Sequence, residues 1–361
     1  MKKRKRILVS PLNWGLGHAT RCIPLIKTLE KYDAEVIIAA EGNALHLLKR
    51  EFPKKQFIAL PPFEIKYFSH TSFLFSIGLQ LPKLYQSIRR DRKILDGLIE
   101  NFRLDGVISD NRYGMYAAKI PSLIISHQLN PFSSFLQSFL RIRIKKLIEN
   151  FDFCWIPDNS GEENLSGDLS HPVQLSIPTF YLGFLSRFDP PNPSEKTKIE
   201  RPLMVILSGP EPSRSFLEKK IIGQLAEISQ ETLLVRGLPS EKTQQPAVPS
   251  NLKMINHLSS QEMRAEILRS ELLICRSGYS SVMDLAVLGK KALLIPSPGQ
   301  SEQEYIANHL FHKKRFYSVQ EKHLDLKRDI KVAKDFNRGE ISNKNAHLEK
   351  AVESFLATCE S

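Results

Sequence analysis

Two series of short apolar runs, each alternating with longer stretches of helical periodicity, constrain this chain more than any other feature. Runs of that length are strand-sized, and strands that alternate with helices specify α/β units on a parallel sheet. In the first series the strand candidates are ILVSP (7–11), AEVIIAA (34–40), QFIAL (56–60), DGVIS (105–109), SLIIS (122–126) and FDFCWIP (151–157). Between the first two, 20–31 carries Ile23, Ile26, Lys27 and Glu30 at helical spacing. The segment DPPNPSEKTKIERP (189–202) holds four prolines and six charges without apolar periodicity, and reads as a linker. The pattern then restarts with PLMVILSG (202–209), ETLLVRG (231–237), NLKMINH (251–257), ELLICRSG (271–278) and KALLIPSPG (291–299). A last helix is expected near 344–357.

The expected fold is therefore α/β, with two doubly wound Rossmann-like domains: 1–188, a linker at 189–201, and 202–340. The tail 341–361 is expected to form a helix packing back on the first domain. A length of 361 residues suits two domains rather than one core. With 42% hydrophobic and 25% charged residues, wholesale disorder is excluded.

Fifty-one Lys and Arg against 39 Asp and Glu leave a net charge of +12, suited to phosphates, anionic lipid or nucleic acid without choosing among them. No zinc-finger, helix-turn-helix or RNA-stacking signature accompanies the charge, so no nucleic-acid partner is expected. Cys22, Cys154, Cys275 and Cys359 lie far apart, which disfavours a zinc site or a disulfide framework. The apolar run after the basic start is too short for a signal peptide, and no stretch approaches 18 consecutive apolar residues. A cytoplasmic location follows as the expectation, with any membrane contact made from the surface.

Ligands of such sheets sit at the carboxyl ends of strands. Gly15, Gly17 and His18 fall after the first strand, where glycines let amides approach a ligand and a helix N-terminus favours negative charge. A dinucleotide fingerprint fails at its third glycine, Thr20, although Glu41 would suit a ribose. A plain turn is the other alternative. An imidazole at that mouth can take a proton from a hydroxyl nucleophile, or simply cap the helix.

The sharper pattern is ICRSGYSSVMDLAVLGKKALLIPSPGQSEQEYIAN (274–308). Arg276, Ser277 and Gly278 are placed to face a phosphate, with Ser280 and Ser281 at the next helix start. Asp284 is placed to hold ribose hydroxyls, and Gln303 with Glu304 to bind sugar hydroxyls. In ILSGPEPSRSF (206–216), Gly209 permits close approach and Ser213 with Arg214 suits a diphosphate; alone, this loop is equally a mere connection.

With these residues the chain resembles the GT-B nucleotide-sugar glycosyltransferases of family 28, whose two domains face a central cleft. GLGH (15–18) is similar to that family's glycine loop ending in His, CRSG (275–278) with Asp284 to its nucleotide turn and ribose acid, and EQEY (302–305) to its sugar site. YLGFLSR (181–187) looks like the segment closing the first domain, which implies phosphate contact for Arg187. SHQLN (126–130) looks like the acceptor-facing segment, which implies acceptor-side roles for His127 and Asn130. Leu258 is implied to present backbone groups to the base, most often uracil. SGPEPSR departs from the family's usual phosphate loop.

The resemblance implies an inverting transferase moving N-acetylglucosamine or another hexose from a UDP-linked donor to a lipid-linked or cell-envelope acceptor. His18 is the expected base, and Asp110 a further acceptor-side residue. No DxD-like motif follows a strand, so neither metal nor cofactor is expected. A nucleotide-sugar 2-epimerase and a non-catalytic nucleotide-sugar-binding protein are the alternatives. In 131–150, Phe132, Phe135, Leu136, Phe139 and Ile142 lie among Arg141, Arg143, Lys145 and Lys146. That mixture suits an interfacial helix on anionic lipid, or equally a helix packed on its own domain. FLFSIGLQLPKLY (73–85) adds further apolar material.

Overall fold

The structure, a computed structural model, describes residues 4–62, 73–130, 137–192, 198–238, 247–339, 341 and 347–359, and of 73–82 and 137–140 the backbone. Contacts divide the chain into two units. The first holds Met1–Asn13, His18–Leu185 and Asn343–Ser361; the second holds Trp14–Gly17 and Ser186–Ser342.

The first unit runs β1 (Arg6–Pro11), α1 (Gly17–Lys31), β2 (Glu35–Ala40), α2 (Gly42–Glu51), β3 (Gln56–Ala59), α3 (Phe73–Phe102), β4 (Gly106–Asp110), β5 (Ser122–Ile125), α4 (Gln137–Ile148), β6 (Phe153–Ile156) and β7 (Thr179–Tyr181). The strands form one parallel sheet in the order β3-β2-β1-β4-β5-β6-β7. Central strands covered on both faces need continuous apolar runs, and Ile7, Leu8, Val9, Ile37, Ile38 and Val107 are fully buried. Leu95 and Leu98 of α3 close one face over Leu8, Ile37 and Val107. Each such side chain contributes about 1.5–3 kcal/mol through burial.

The second unit runs β8 (Arg201–Ile206), α5 (Ser213–Leu225), β9 (Thr232–Val235), β10 (Leu252–Ile255), α6 (Ser260–Arg269), β11 (Ser270–Cys275), α7 (Tyr279–Val287), β12 (Lys291–Leu294), α8 (Ser301–His312), β13 (Tyr317–Ser318) and α9 (Leu326–Asp335). Its parallel sheet has the order β10-β9-β8-β11-β12-β13 around a core of Leu203, Val205, Leu234, Leu272, Ile274 and Leu293. The last helix, α10 (Leu348–Thr358), lies in the first unit. Its Phe355 meets Trp155 and Phe153 edge-on at centroid separations of 6.0 and 6.3 Å. Lys31 Nζ reaches its Glu349 Oε1 at 2.7 Å.

Each sheet is doubly wound, so strand order reverses between β1 and β4 in the first unit and between β8 and β11 in the second. Crevices for ligands open at such switch points. Two strands fall outside the sequence expectation: β7 has three residues and β13 two, too few for a period to register, and neither is fully buried. Contacts divide at Leu185 and Ser186, and Arg201 already pairs in register with Ser270.

Candidate active site

At the first switch point, β1 ends on Pro11 and β4 on Asp110, paired in register. Gly15 turns the chain with φ +71°, a left-handed conformation that favours glycine. His18 is the second residue of α1, and its Nδ1 lies 2.7 Å from Asp110 Oδ1. The His18 side chain keeps 14% exposure while Asp110 has none. No hydrogen bond reaches His18 Nε2 among the described residues.

Between them stands Arg21, 1% exposed. Its Nε donates to Asp110 Oδ2 at 2.5 Å, its Nη2 to Asp110 Oδ1, and its Nη1 to His127 Nδ1 at 3.0 Å. Burial pushes the Asp110 carboxyl up, but the charges of Arg21 and His18 with their hydrogen bonds outweigh it and hold the group down at about 2. Burial, aided by Arg21, lowers His18 below its ordinary 6.5, with Asp110 opposing. The result is an ionised carboxylate behind a neutral imidazole, an arrangement able to accept a proton.

Sequence reasoning missed Arg21. The signal was there: it lies three residues after His18, hence on the same helix face, among the buried Cys22, Ile23 and Leu25. Glu41, which would suit a ribose, is instead bound by Arg112 Nη1 at 2.8 Å, and Arg112 also clamps Asp91 at 2.7 Å. Asn130 Nδ2 donates to the carbonyls of Asp168 and Pro172 at 3.1 and 3.3 Å, so this amide braces a loop.

In the second unit the switch point collects Gly209 (φ +106°), the start of α5 and the turn after β11. The expectation that Arg276 faces a phosphate needs correction. Its guanidinium is 1% exposed and turned inward, onto Glu321 Oε2 at 2.6 Å, the Pro296 carbonyl at 3.2 Å and Ser213 Oγ at 3.1 Å. Burial lowers its basicity against the pull of Glu321. Arg214 is corrected likewise: buried, it donates to Glu211 at 2.6 Å and Glu218 at 2.7 Å, and Glu218 also takes Arg236. A buried guanidinium needs carboxylate partners, and Glu321, Glu211 and Glu218 supply them.

Gly278 caps α7 at an ordinary φ of −67° with open space about it, so no backbone demand requires glycine there. Ser277 Oγ donates to the Gln303 carbonyl at 2.8 Å, and Ser281 is half-buried in the first turn of α7. Asp284, 8% exposed, accepts from Ser186 Oγ at 2.6 Å and Arg187 Nε at 3.3 Å. Burial raises its carboxyl and Arg187 opposes. Gln303 Oε1 accepts from the Ser297 amide at 3.0 Å and Glu304 Oε1 from the Gly299 amide at 2.9 Å, which fixes the turn before α8. Leu258 is buried just past β10. Gly17, grouped with this unit, accepts from Ser280 Oγ at 2.9 Å, and a Cβ on Gly17 would sit 2.9 Å from that oxygen. Among the described residues no group of three or more His, Cys, Asp or Glu is placed to hold a metal ion.

Residues 215–356 match the C-terminal domain of glycosyltransferase family 28. An uncharacterised glycosyltransferase of Methanosarcina acetivorans is 26% identical over 319 residues, covering 83% of this chain and 81% of that protein. A UDP-N-acetylglucosamine–N-acetylmuramyl-(pentapeptide) pyrophosphoryl-undecaprenol N-acetylglucosamine transferase of Methylobacterium sp. (strain 4-46) is 40% identical, but over 47 residues, 13% of each chain. The spinosyn rhamnosyltransferase SpnG, solved also with thymidine diphosphate, superposes with a TM-score of 0.63 at 14% identity over 99% of this chain and 96% of its own. Fold and matches together define a GT-B glycosyltransferase. Within that class, residues 215–356 are family 28-like.

Proposed function

We propose that this glycosyltransferase is an inverting hexosyltransferase, moving N-acetylglucosamine or a related hexose from a UDP-linked donor to a lipid-linked or cell-envelope acceptor, with His18 as base. The observation that carries the reading is the His18–Asp110 pair, 2.7 Å apart, with no hydrogen bond to Nε2 of His18 among the described residues. Inversion is a single displacement: the acceptor oxygen attacks the anomeric carbon, its proton passes to His18 Nε2, and the nucleoside diphosphate leaves with the bonding electrons. Asp110 orients the ring and stabilises the imidazolium that forms. On the second unit, the amides opening α5 and α7 with Arg187 take the diphosphate, Asp284 the ribose, and Gln303 with Glu304 the sugar. The Methylobacterium transferase, by its name an N-acetylglucosamine transferase onto a pyrophosphoryl-undecaprenol substrate, supports that donor and acceptor class.

Contact with an anionic inner membrane face from the cytoplasm is part of the proposal. On α4, Ile142 is 55% exposed beside the exposed Arg143 and Lys146. Arg143 Nη1 donates to Tyr85 Oη at 2.8 Å. Phe132, Phe135 and Leu136 lie outside the described residues, as do the side chains of Phe139 and of 73–82. No helix among the described residues is long and apolar enough to cross a membrane.

A panel of UDP-sugars with undecaprenyl-linked acceptors tests the reading. Transfer to the lipid with inverted configuration at the anomeric carbon is expected. An isomerised free donor, or binding without turnover, would refute it.

A further inference from the structure

We propose that Arg21 is the positioning residue of the first-unit site: it fixes His127 with its proton on Nε2 and balances the charge of Asp110, so that His18, which Asp110 holds as the Nδ1–H tautomer, stays neutral with its lone pair on Nε2. The inference rests on the reading of His18 as base and adds what sets that base in its working form.

A guanidinium donates and never accepts, and an ionised carboxylate accepts and never donates. His127 Nδ1, 3.0 Å from Arg21 Nη1, must therefore be the acceptor, which places the proton of that neutral ring on Nε2. His18 Nδ1 has two neighbours, Asp110 Oδ1 at 2.7 Å and Arg21 Nη2 at 2.8 Å. A bare Nδ1 would set a lone pair against an anionic oxygen. A protonated Nδ1 makes a charge-assisted bond, the stronger of the two choices. Nη2 has its own bond to Asp110 Oδ1, so it does not need the imidazole as acceptor. His18 is thus protonated on Nδ1 and bare on Nε2.

One buried cation therefore bonds Asp110 at the end of β4 and His127 just past β5, and its Nη2 stands 2.8 Å from His18 Nδ1 at the start of α1. Its charge also balances Asp110. Without that balance the carboxylate would pull a proton onto His18 and hold it there as imidazolium, which is useless as a base. The other titratable groups at this point are Cys22, whose Sγ lies 3.9 Å from Asp110 Oδ2, and the buried Tyr113 hydroxyl; burial raises both, so both remain protonated and neutral.

Long-range ¹H–¹⁵N spectra of the full chain labelled at histidine, with the two rings assigned through His18→Gln and His127→Gln, read the tautomers without any need for turnover. In the wild type, His18 should show its proton on Nδ1 and His127 on Nε2. Arg21→Gln should scramble the His127 tautomer and move the protonation of His18 to higher pH. Arg21→Lys keeps the charge but cannot span both Asp110 and His127: His127 should again lose its single tautomer while His18 titrates near its wild-type position. A wild-type His127 protonated on Nδ1 would overturn the inference, as would folded Arg21→Gln with both rings unchanged. Should neither variant fold, the wild-type tautomers decide alone. Correct tautomers together with full turnover by His18→Ala would leave the Arg21 inference standing and remove the base assignment.

Discussion

Replacing Asp110 by Asn tests how the first-unit site is held together. The carboxylate is fully buried against Arg21, with Nε 2.5 Å from Oδ2, and against His18 at 2.7 Å. Taking one charge from a buried pair leaves the other uncompensated, at a cost of about 3–5 kcal/mol. The pH dependence supplies a second magnitude. Asp110 ionises at about 2 in the folded chain against an ordinary 3.8. A depressed carboxyl gives stability that is fully present above the unfolded value and is lost as pH falls through the folded one. That difference corresponds to roughly 2 kcal/mol, lost between about pH 4 and pH 2. Urea unfolding followed from neutral pH downward should show Asp110→Asn destabilised by about 3–5 kcal/mol at neutral pH. The gap to wild type should then narrow as acid protonates Asp110. Turnover per folded molecule should fall by roughly 10²- to 10⁴-fold, because the amide no longer enforces the Nδ1–H tautomer of His18. A loss under about 1 kcal/mol, the range of an exposed ion pair, with a pH-independent gap would refute the buried-pair reasoning.

Three further outcomes follow from the same geometry. Because burial and Arg21 lower His18, the imidazole is neutral at pH 7 and is lost as a base only when pH drops below its ordinary 6.5; the acidic limb of the rate profile should lie below that value, and a limb above it would contradict the assignment. Asp284→Ala should weaken UDP binding by about 1–3 kcal/mol in calorimetry, the cost of leaving hydrogen-bonding groups unpaired, and unchanged affinity would remove the ribose role. On α4, Ile142→Ser with Arg143→Glu and Lys146→Glu should release the chain from phosphatidylserine vesicles at about 1 kcal/mol per basic residue while UDP binding is kept; equal sedimentation of variant and wild type would remove the membrane contact.

The sheets were legible because buried parallel strands must be continuous apolar runs, as in VIIA of β2 and GVIS of β4. Edge strands carry no such demand, and β7 and β13 went unread for that reason. The positions of the site loops followed from strand ends, but the direction of individual side chains did not. Arg276 lies beside a glycine turn in sequence, yet Glu321, 45 residues later, turns it inward. Arg214 is taken by Glu218 of its own helix and sits against Arg236 from the next strand end. Arg21 shows the converse: its place on an apolar helix face marks it as buried, while its partners Asp110 on β4 and His127 just past β5 lie far along the chain. Long-range pairing of charges leaves no local period, so a single sequence cannot display it.

The proposed reaction depends on His18 removing the acceptor proton. Steady-state turnover of His18→Ala with a UDP-hexose and a lipid-linked acceptor, measured beside its melting temperature and UDP affinity, tests it most directly. Turnover should fall by about 10²- to 10⁴-fold, with UDP affinity and folding kept. Full turnover in a folded His18→Ala chain would contradict it.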